Sequence, residues 1–269
     1  NIGNDFKGVY PMLSNDEDQY LGMAREAYDG HYNFGSVYLK EHKEVPYLQQ
    51  PLAGIILATQ ARVLDISIPA LFAINDFLLP ITGVLIIYFL ILALTAKKNI
   101  AAIFSFSYYF LLIAQFNRPI NPQFSFLFLF LGLLLIWKVI NNNERNIRML
   151  IVWNLLLALD FSIAFYIYPF VWSSILVVYS LVLLGMVLRD REFFYYLKNF
   201  LAFAFPAGIF AIPYILNLRE AVLNPNFIDQ NLRFGFLLTH LPHAYLNVAL
   251  MFTALIVLYL TGKNSNYKQ

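Results

Sequence analysis

Long apolar runs dominate this chain and constrain what it can fold into. Residues 77–95 and 199–217, for example, contain no charged side chain at all. A soluble helix needs a polar face, whereas about 20 apolar residues at ~1.5 Å rise per residue cross the hydrocarbon core of a bilayer. Only 13% of the 269 residues are charged, against roughly 25% in a typical soluble domain. The sequence therefore predicts an all-α integral membrane protein.

Proline residues divide the longer apolar runs into separate helices. Residues 149–188 are about twice as long as one span, and Tyr168-Pro169 lies near their middle. Proline lacks the backbone N–H and disfavours helix in the residue before it, so a break is expected there. A second break is expected at 117–122. The pattern predicts about seven transmembrane helices, at 77–95, 99–114, 122–140, 149–168, 170–188, 199–217 and 244–262.

The distribution of charge orients these spans. If residues 1–76 lie outside and the spans alternate, the inner turns hold ten basic and three acidic residues, and the outer side holds eight basic and thirteen acidic. Short inner turns rich in lysine and arginine are what the positive-inside rule requires. We therefore predict a multi-pass plasma-membrane protein with residues 1–76 as an extracytoplasmic loop and 77–269 as the transmembrane region.

Composition excludes several classes of site and partner. The absence of cysteine excludes disulfides, thiolate metal sites and a cysteine nucleophile. A net charge of +2 gives no reason to expect nucleic acid as a partner, whereas membrane lipid is expected. The chain begins at Asn1 without a visible signal peptide, and we expect a fragment that lacks a first transmembrane helix and a C-terminal part.

The polar segment 1–76 holds ten of the sixteen acidic residues. Ser14 followed by Glu17 has the form of a capping box, which predicts a helix from about 16 to 29 with Gly30 as its C-terminal stop. A second short helix is expected at 52–64, after Pro51. The loop should therefore carry two juxtamembrane helices.

The first of these helices opens with Asp16, Glu17 and Asp18, which we call the acidic turn. These acids have two interpretations. Acids in a first helical turn complement the helix dipole, which is worth about 0.3–1 kcal/mol each. Alternatively, a carboxylate held at the membrane surface can act as a general base, and a pair of carboxylates could hold a divalent cation against a phosphate. The residue types alone leave both interpretations open.

Three strings in this loop resemble a known family. They are Asn15–Tyr20, Ala24–Tyr32 and Pro46–Leu52, which together resemble the first extracytoplasmic loop of GT-C membrane glycosyltransferases. That family includes the protein O-mannosyltransferase and aminoarabinose-transferase relatives. The resemblance covers residues 10–80 and is only topological over the remaining spans.

The resemblance implies an inverting glycosyltransferase that uses a polyprenyl-phosphate-linked sugar donor and an unidentified acceptor at the outer membrane face. Asp16 matches the catalytic base of the family and Glu17 the acid beside it. Asp18 fits the Asp-x-Asp variant of the motif, so the resemblance leaves open which carboxylate acts.

Further polar residues are candidates for binding the substrates. Family members use an outer arginine against the lipid phosphate, for which the guanidinium geometry is well suited. Within the span 149–168, Asp160 either faces a substrate or partner such as Arg118 or makes a structural interhelical hydrogen bond. His240 and His243 lack an obvious third ligand, so no metal site is predicted. The substrate-binding candidates are Arg118, Asp160, Arg219, Arg233, His31 and Tyr20.

Two other functions compete with the transferase. In a transporter or flippase, Asp160 and Arg118 would be the working pair, although the sequence shows no inverted repeat of the kind many transporters contain. A non-catalytic membrane protein would need neither the acidic turn nor the intramembrane carboxyl.

Overall fold

The structure, a computed structural model, describes residues 17–32, 34–35, 46–47, 50–112, 123–141 and 147–224. Within these ranges the chain forms eight α-helices and no β-strand, which confirms the prediction of an all-α protein. The helices are α1 Glu17–Tyr28, α2 Leu52–Leu64, α3 Ile68–Thr95, α4 Lys98–Leu112, α5 Gln123–Ile140, α6 Ile147–Phe165, α7 Pro169–Asp190 and α8 Phe193–Val222.

Five of the described helices, α3, α5, α6, α7 and α8, are long and apolar enough to cross a membrane. This confirms a multi-pass membrane protein, although the described residues do not reach the predicted count of seven. The span predicted at 99–114 corresponds to α4, of which the structure describes Lys98–Leu112. Residues 113–114 and 244–262 lie outside the described ranges.

Local signals explain where these helices begin. The break at Tyr168 is confirmed: its backbone is extended, at φ −160°, and Pro169 occupies the first turn of α7. α3 begins nine residues before the predicted span because Ser67 caps it. The Ser67 hydroxyl oxygen accepts a hydrogen bond from the Ala70 N–H at 3.3 Å, which satisfies one unpaired donor of the first turn.

The central helices of the bundle are α5 and α6. α5 packs against α3, α6 and α7, and α6 also packs against α8. The main core includes Leu157, Phe161, Ile175 and Tyr179, all nearly inaccessible. By contrast, α3 and α8 expose large apolar side chains, which are best covered by lipid. Examples are Phe77, Phe194 and Phe205.

Neighbouring helices alternate in direction. Phe124, at the start of α5, shares a cluster with Phe72, near the start of α3. Further along α5, Phe130 packs with Ile87 and Leu90, which lie further along α3. The contacts therefore advance along both helices together, so α3 and α5 are parallel. The α3–α4, α5–α6 and α7–α8 connections consequently share one end of the bundle.

The two ends of the bundle carry opposite charge. At the end that holds those three connections, the described acidic residues are Asp190 and Glu192, and the basic ones are Lys97, Lys98, Lys138, Arg148, Arg189, Arg191 and Lys198. At the opposite end the described basic residues are Arg25, Arg62 and Arg219, and the acidic ones are Glu17, Asp18, Glu26, Asp29, Asp65, Asp76 and Glu220. The basic end is the one expected to face the cytoplasm.

Helices α1 and α2 form a pair on the acidic end of the bundle. They cross where Gly54 of α2 meets Met23 and Ala24 of α1; a Cβ placed on Gly54 would lie 3.3 Å from the Met23 carbonyl carbon. Ala24 and Leu57 are fully buried in a cluster that also contains residues of α3 and α5. Small residues at the crossing let the two backbones approach closely, so the pair is held against the bundle.

The charge asymmetry predicts which end of the bundle faces out, and single cysteines introduced into these 269 cysteine-free residues test it. Val63→Cys, at the exposed end of α2, should react with a membrane-impermeant thiol reagent in intact cells. Arg191→Cys, in the α7–α8 turn, should react only after the membrane is permeabilised. The reverse pattern, or equal labelling of both, would contradict the orientation.

Candidate functional site

The acidic residues predicted to do chemistry lie at the start of α1. Glu17 and Asp18 are its first two residues, and the predicted end of the helix is confirmed by Gly30, whose φ is +96°. Asp16 and the side chains of Glu17 and Asp18 lie outside what the structure describes. The helix that carries them is nevertheless placed on the acidic end of the bundle.

Arginine side chains stabilise the C-terminal end of α1. Its last carbonyls have no partner within the helix, and Arg62 of α2 donates a hydrogen bond to the Tyr28 carbonyl and another, at 3.4 Å, to the Tyr32 hydroxyl. The guanidinium groups of Arg62 and Arg25 lie 5.3 and 5.5 Å from the centre of the Tyr28 ring. Arg25 also pairs with Asp29 at 3.0 Å.

His31 belongs to this C-terminal end of α1. Its Nδ1 lies 3.5 Å from a carboxylate oxygen of Glu26, and its backbone N–H donates to the Glu26 carbonyl. Because it follows Glu17 by fourteen residues, it is roughly 20 Å away along the helix. The structure therefore does not bring His31 to the acidic turn.

A cleft opens between α1 and the corner where α2 turns into α3, with a volume of about 540 Å³. It begins at Leu21, one turn after Glu17, and ends at Tyr28. We refer to it as the corner cleft. Its lining residues are Leu21, Arg25, Tyr28, Asp65, Ile66, Ser67, Ile68 and Pro69.

Tyr166, in the α6–α7 turn, links α8 to the first residue of α2. Its hydroxyl donates to the Phe210 carbonyl at 2.6 Å and accepts from the Tyr214 N–H at 3.2 Å. An unbroken helix would pair these two groups directly, but Pro213 lies inside α8 and such a proline kinks the helix. The Tyr166 carbonyl also accepts from the Leu52 N–H at 2.9 Å.

Asn217 adds a second link between α8 and the segment before α2. Its side-chain amide donates to the Tyr47 carbonyl at 2.7 Å, and its oxygen accepts from the Tyr47 N–H at 3.2 Å. Burial raises the pKa of the Tyr47 hydroxyl, and the neighbouring Tyr166 and Tyr214 raise it further. We call the contacts of Tyr166 and Asn217 the tyrosine–asparagine clamp.

Two further predicted substrate-binding residues lie on α8 and α6. Arg219 is exposed in the last turn of α8. Asp160 is buried in α6, and neither of its carboxyl oxygens has a hydrogen-bond partner among the residues that the structure describes. Gly132 of α5 makes room for it, since a Cβ there would lie 2.8 Å from Asp160 Oδ2 and 2.8 Å from Cδ1 of Ile175. Asp160 thus lies in the interior of the α5–α6–α7 junction.

The remaining predicted residues divide between described and undescribed parts of the chain. Tyr20 is half-buried and packs against the clusters that join α1 to α2. Arg118 and Arg233 lie outside the described residues. The suggested pairing of Arg118 with Asp160 therefore stays a prediction. In the part of the chain that the structure describes, no three His, Asp or Glu side chains are grouped to hold a metal ion.

Sequence patterns did not reveal the residues that organise this end of the molecule. Tyr166 and Asn217 act on backbone groups up to 170 residues away in sequence, and no periodicity encodes such a contact. A partial signal was available, because Pro213 inside an apolar run calls for a nearby hydroxyl or water to complete the hydrogen bonding of the broken helix.

No protein-family model, curated protein or solved structure matches this chain. Its likeness to the GT-C loop therefore remains a resemblance of motifs within residues 10–80.

The Gly132–Asp160 contact predicts opposite effects of the same substitution at two glycines. Gly132→Ala should destabilise the protein by about 1–3 kcal/mol, since it forces atoms into a packed junction. Gly185→Ala, in α7, places its Cβ in open space and should be neutral or stabilise by up to about 1 kcal/mol. Thermal unfolding in detergent compares them. Equal melting temperatures would contradict the described packing.

The tyrosine–asparagine clamp predicts that Tyr166→Phe lowers stability by about 1–3 kcal/mol, because it removes two hydrogen bonds to backbone groups of α8, each worth about 0.5–1.5 kcal/mol. Burial raises the pKa of Tyr166, an effect partly offset by the hydrogen bond from Tyr214. The contribution of the hydroxyl should thus be complete at neutral pH and lost only above pH ~10, the ordinary tyrosine pKa. Phe165→Tyr, which leaves the clamp intact, is the control.

Denaturation across pH measures both variants. A Tyr166→Phe protein as stable as the wild type, or a wild type that loses the clamp's contribution near neutral pH, would contradict the assignment.

Proposed function

We propose that this protein is a GT-C-type glycosyltransferase that moves a sugar from a polyprenyl-phosphate donor to an acceptor at the outer face of the plasma membrane. The observation that carries the proposal is the acidic first turn of α1 on a helix held against the acidic end of the bundle. Glu17 and Asp18 open that helix, and Gly54 fixes its crossing with α2.

This location suits a lipid-linked donor. The polyprenyl chain lies among apolar helices such as α3, whose surface is largely exposed, apolar and suited to lipid. The phosphate then lies at headgroup level, where the bundle ends and α1 and α2 begin. A carboxylate in the first turn of α1 is on the water side of that phosphate, where the acceptor approaches.

The proposed chemistry needs one base and one stabilised leaving group. A carboxylate of the acidic turn, with Asp16 the first choice, accepts the proton of an acceptor hydroxyl. The hydroxyl oxygen forms a bond to the anomeric carbon from the face opposite the phosphate, the carbon–oxygen bond to phosphate breaks, and the configuration inverts. Polyprenyl phosphate leaves with the bonding electron pair, and the carboxyl returns its proton to water.

Positive charge must stabilise the departing phosphate. An arginine does this with paired N–H donors; among the described residues of the acidic end, Arg219 is exposed in the last turn of α8. Arg118 and Arg233 are the other candidates. A divalent cation held by the carboxylates would serve the same purpose.

One observation favours a different function, that of a transporter. Asp160 is buried within the membrane-spanning bundle and has no hydrogen-bond partner among the described residues. Intramembrane carboxyls of this kind often lie on ion or substrate pathways. In a transporter Asp160 would be essential and the acidic turn of α1 would not.

Single substitutions in the acidic turn test the transferase. The full-length protein is purified and supplied with polyprenyl-phosphate sugars and candidate acceptors. Neutralising the acting base, by Asp16→Asn, Glu17→Gln or Asp18→Asn, should lower the transfer rate by roughly 10²–10⁴-fold, the usual contribution of a general base. Asp29→Asn, at the other end of α1, removes only an exposed ion pair and should retain activity.

If each of the three neutralised variants still transfers sugar at the wild-type rate, the acidic turn has no catalytic role. If no donor is consumed, but a solute crosses the membrane of liposomes and Asp160→Asn stops it, the transporter is correct.

A further inference from the structure

We propose that the corner cleft binds the acceptor and that this acceptor is a neutral, hydroxyl-rich molecule such as an oligosaccharide. The inference rests on the proposed transferase and names the substrate class of its second site. The corner cleft is formed by one face of α1 and the turn from α2 into α3, and its volume is about 540 Å³. Sites for small molecules typically measure about 300–1,000 Å³.

Two polar groups of the cleft are held in place by the corner itself. Asp65 ends α2 with φ +53°, and its backbone N–H is directed to carbonyls of the last turn, so its position is fixed while its side chain is exposed. Ser67 accepts from the Ala70 N–H, which leaves its own hydroxyl proton free to be donated. A carboxylate that accepts and a hydroxyl that donates together match the two roles of a sugar hydroxyl.

The charge of the cleft favours a neutral ligand over a phosphate. Arg25 is the single basic side chain among its lining residues, and its guanidinium is already paired with Asp29 at 3.0 Å. Asp65 contributes a further negative charge. A phosphate would therefore meet the Asp65 carboxylate and an arginine whose charge is already balanced by Asp29, whereas a neutral hydroxyl meets hydrogen-bonding partners without charge repulsion.

The apolar part of the lining is also suited to a sugar. The half-buried Tyr28 ring lies 5.5 Å from the Arg25 guanidinium and 5.3 Å from that of Arg62, and these contacts favour its observed position. Leu21 and Pro69 supply further apolar surface. A sugar ring has an apolar face bounded by hydroxyls and so matches a lining that mixes aromatic, aliphatic and polar groups.

The cleft is correctly placed for the proposed chemistry. It begins at Leu21, four residues after Glu17, a distance of about 6 Å along the helix. A hydroxyl at that end of the cleft therefore lies about one turn from the acidic residues. The donor approaches from the membrane, so the two substrates would meet at the start of α1.

Protection of an introduced thiol tests binding without requiring turnover. Ile66→Cys adds one reactive thiol to the lining of the cleft without removing either polar group. The full-length protein is used, and any cysteine outside these 269 residues is first replaced by serine. Val63→Cys, exposed and outside the lining, is the matched control. The rate of thiol labelling is measured with maltotriose, mannotriose or chitotriose, and separately with inorganic phosphate. We expect at least one trisaccharide to slow the labelling of Ile66→Cys several-fold, and phosphate and the Val63→Cys control to show no change.

Asp65→Asn, added to Ile66→Cys, should weaken that protection, because the amide replaces one acceptor with a donor. Labelling that no trisaccharide slows, or that phosphate slows equally well, would overturn the proposal. Donor consumption by the wild type is measured in parallel. If a trisaccharide protects the thiol but no donor is consumed, the cleft binds sugar and the transferase proposal is wrong. If donor is consumed but no trisaccharide protects the thiol, the transferase proposal stands and the acceptor site is wrong.

Discussion

The close crossing of α1 over α2 at Gly54 is the contact on which the acidic end of this protein depends. A helix of twelve residues is marginal in water by itself, and α1 contributes only one apolar face. The stability of α1 must therefore come from packing. The packing is tight because Gly54 has no side chain: a Cβ on Gly54 would lie only 3.3 Å from the Met23 carbonyl carbon. The acidic turn and the corner cleft both follow from this placement.

The second requirement is that broken helices near a membrane surface keep their backbone groups paired. The α6–α7 turn and the proline-containing end of α8 bring unpaired groups together, and one hydroxyl, that of Tyr166, bridges the Phe210 carbonyl and the Tyr214 N–H. The same turn accepts from Leu52, the first residue of α2. The end of the bundle and the start of α2 are thus fixed by the same residue.

Local signals predicted most of the helical framework. The stop at Gly30 and the break before Pro169 depend on neighbouring residues, and such signals are readable from sequence. The predicted capping box stays a prediction, because Ser14 lies outside the described residues. The start of α3 was predicted nine residues late because Phe77 marks an uncharged run, while the cap that begins the helix is Ser67.

The candidate site was less predictable, because its geometry depends on contacts between distant segments. That Gly132 faces Asp160 follows from how α5 packs on α6, and that Asp65 lines a cleft with Arg25 follows from the α1–α2 crossing. The acidic turn was identified from its residue types and its resemblance to a family motif. Its chemistry remains a proposal.

An engineered disulfide tests the α1–α2 crossing most directly. The Met23 Cβ lies 3.4 Å from where a Cβ of residue 54 would be, close to the 3.5–4.5 Å separation found in disulfides. Met23→Cys combined with Gly54→Cys should therefore form a cross-link on mild oxidation in native membranes. Met23→Cys combined with Val63→Cys should not. A cross-link in the control pair alone, or in neither pair, would contradict the placement of α1.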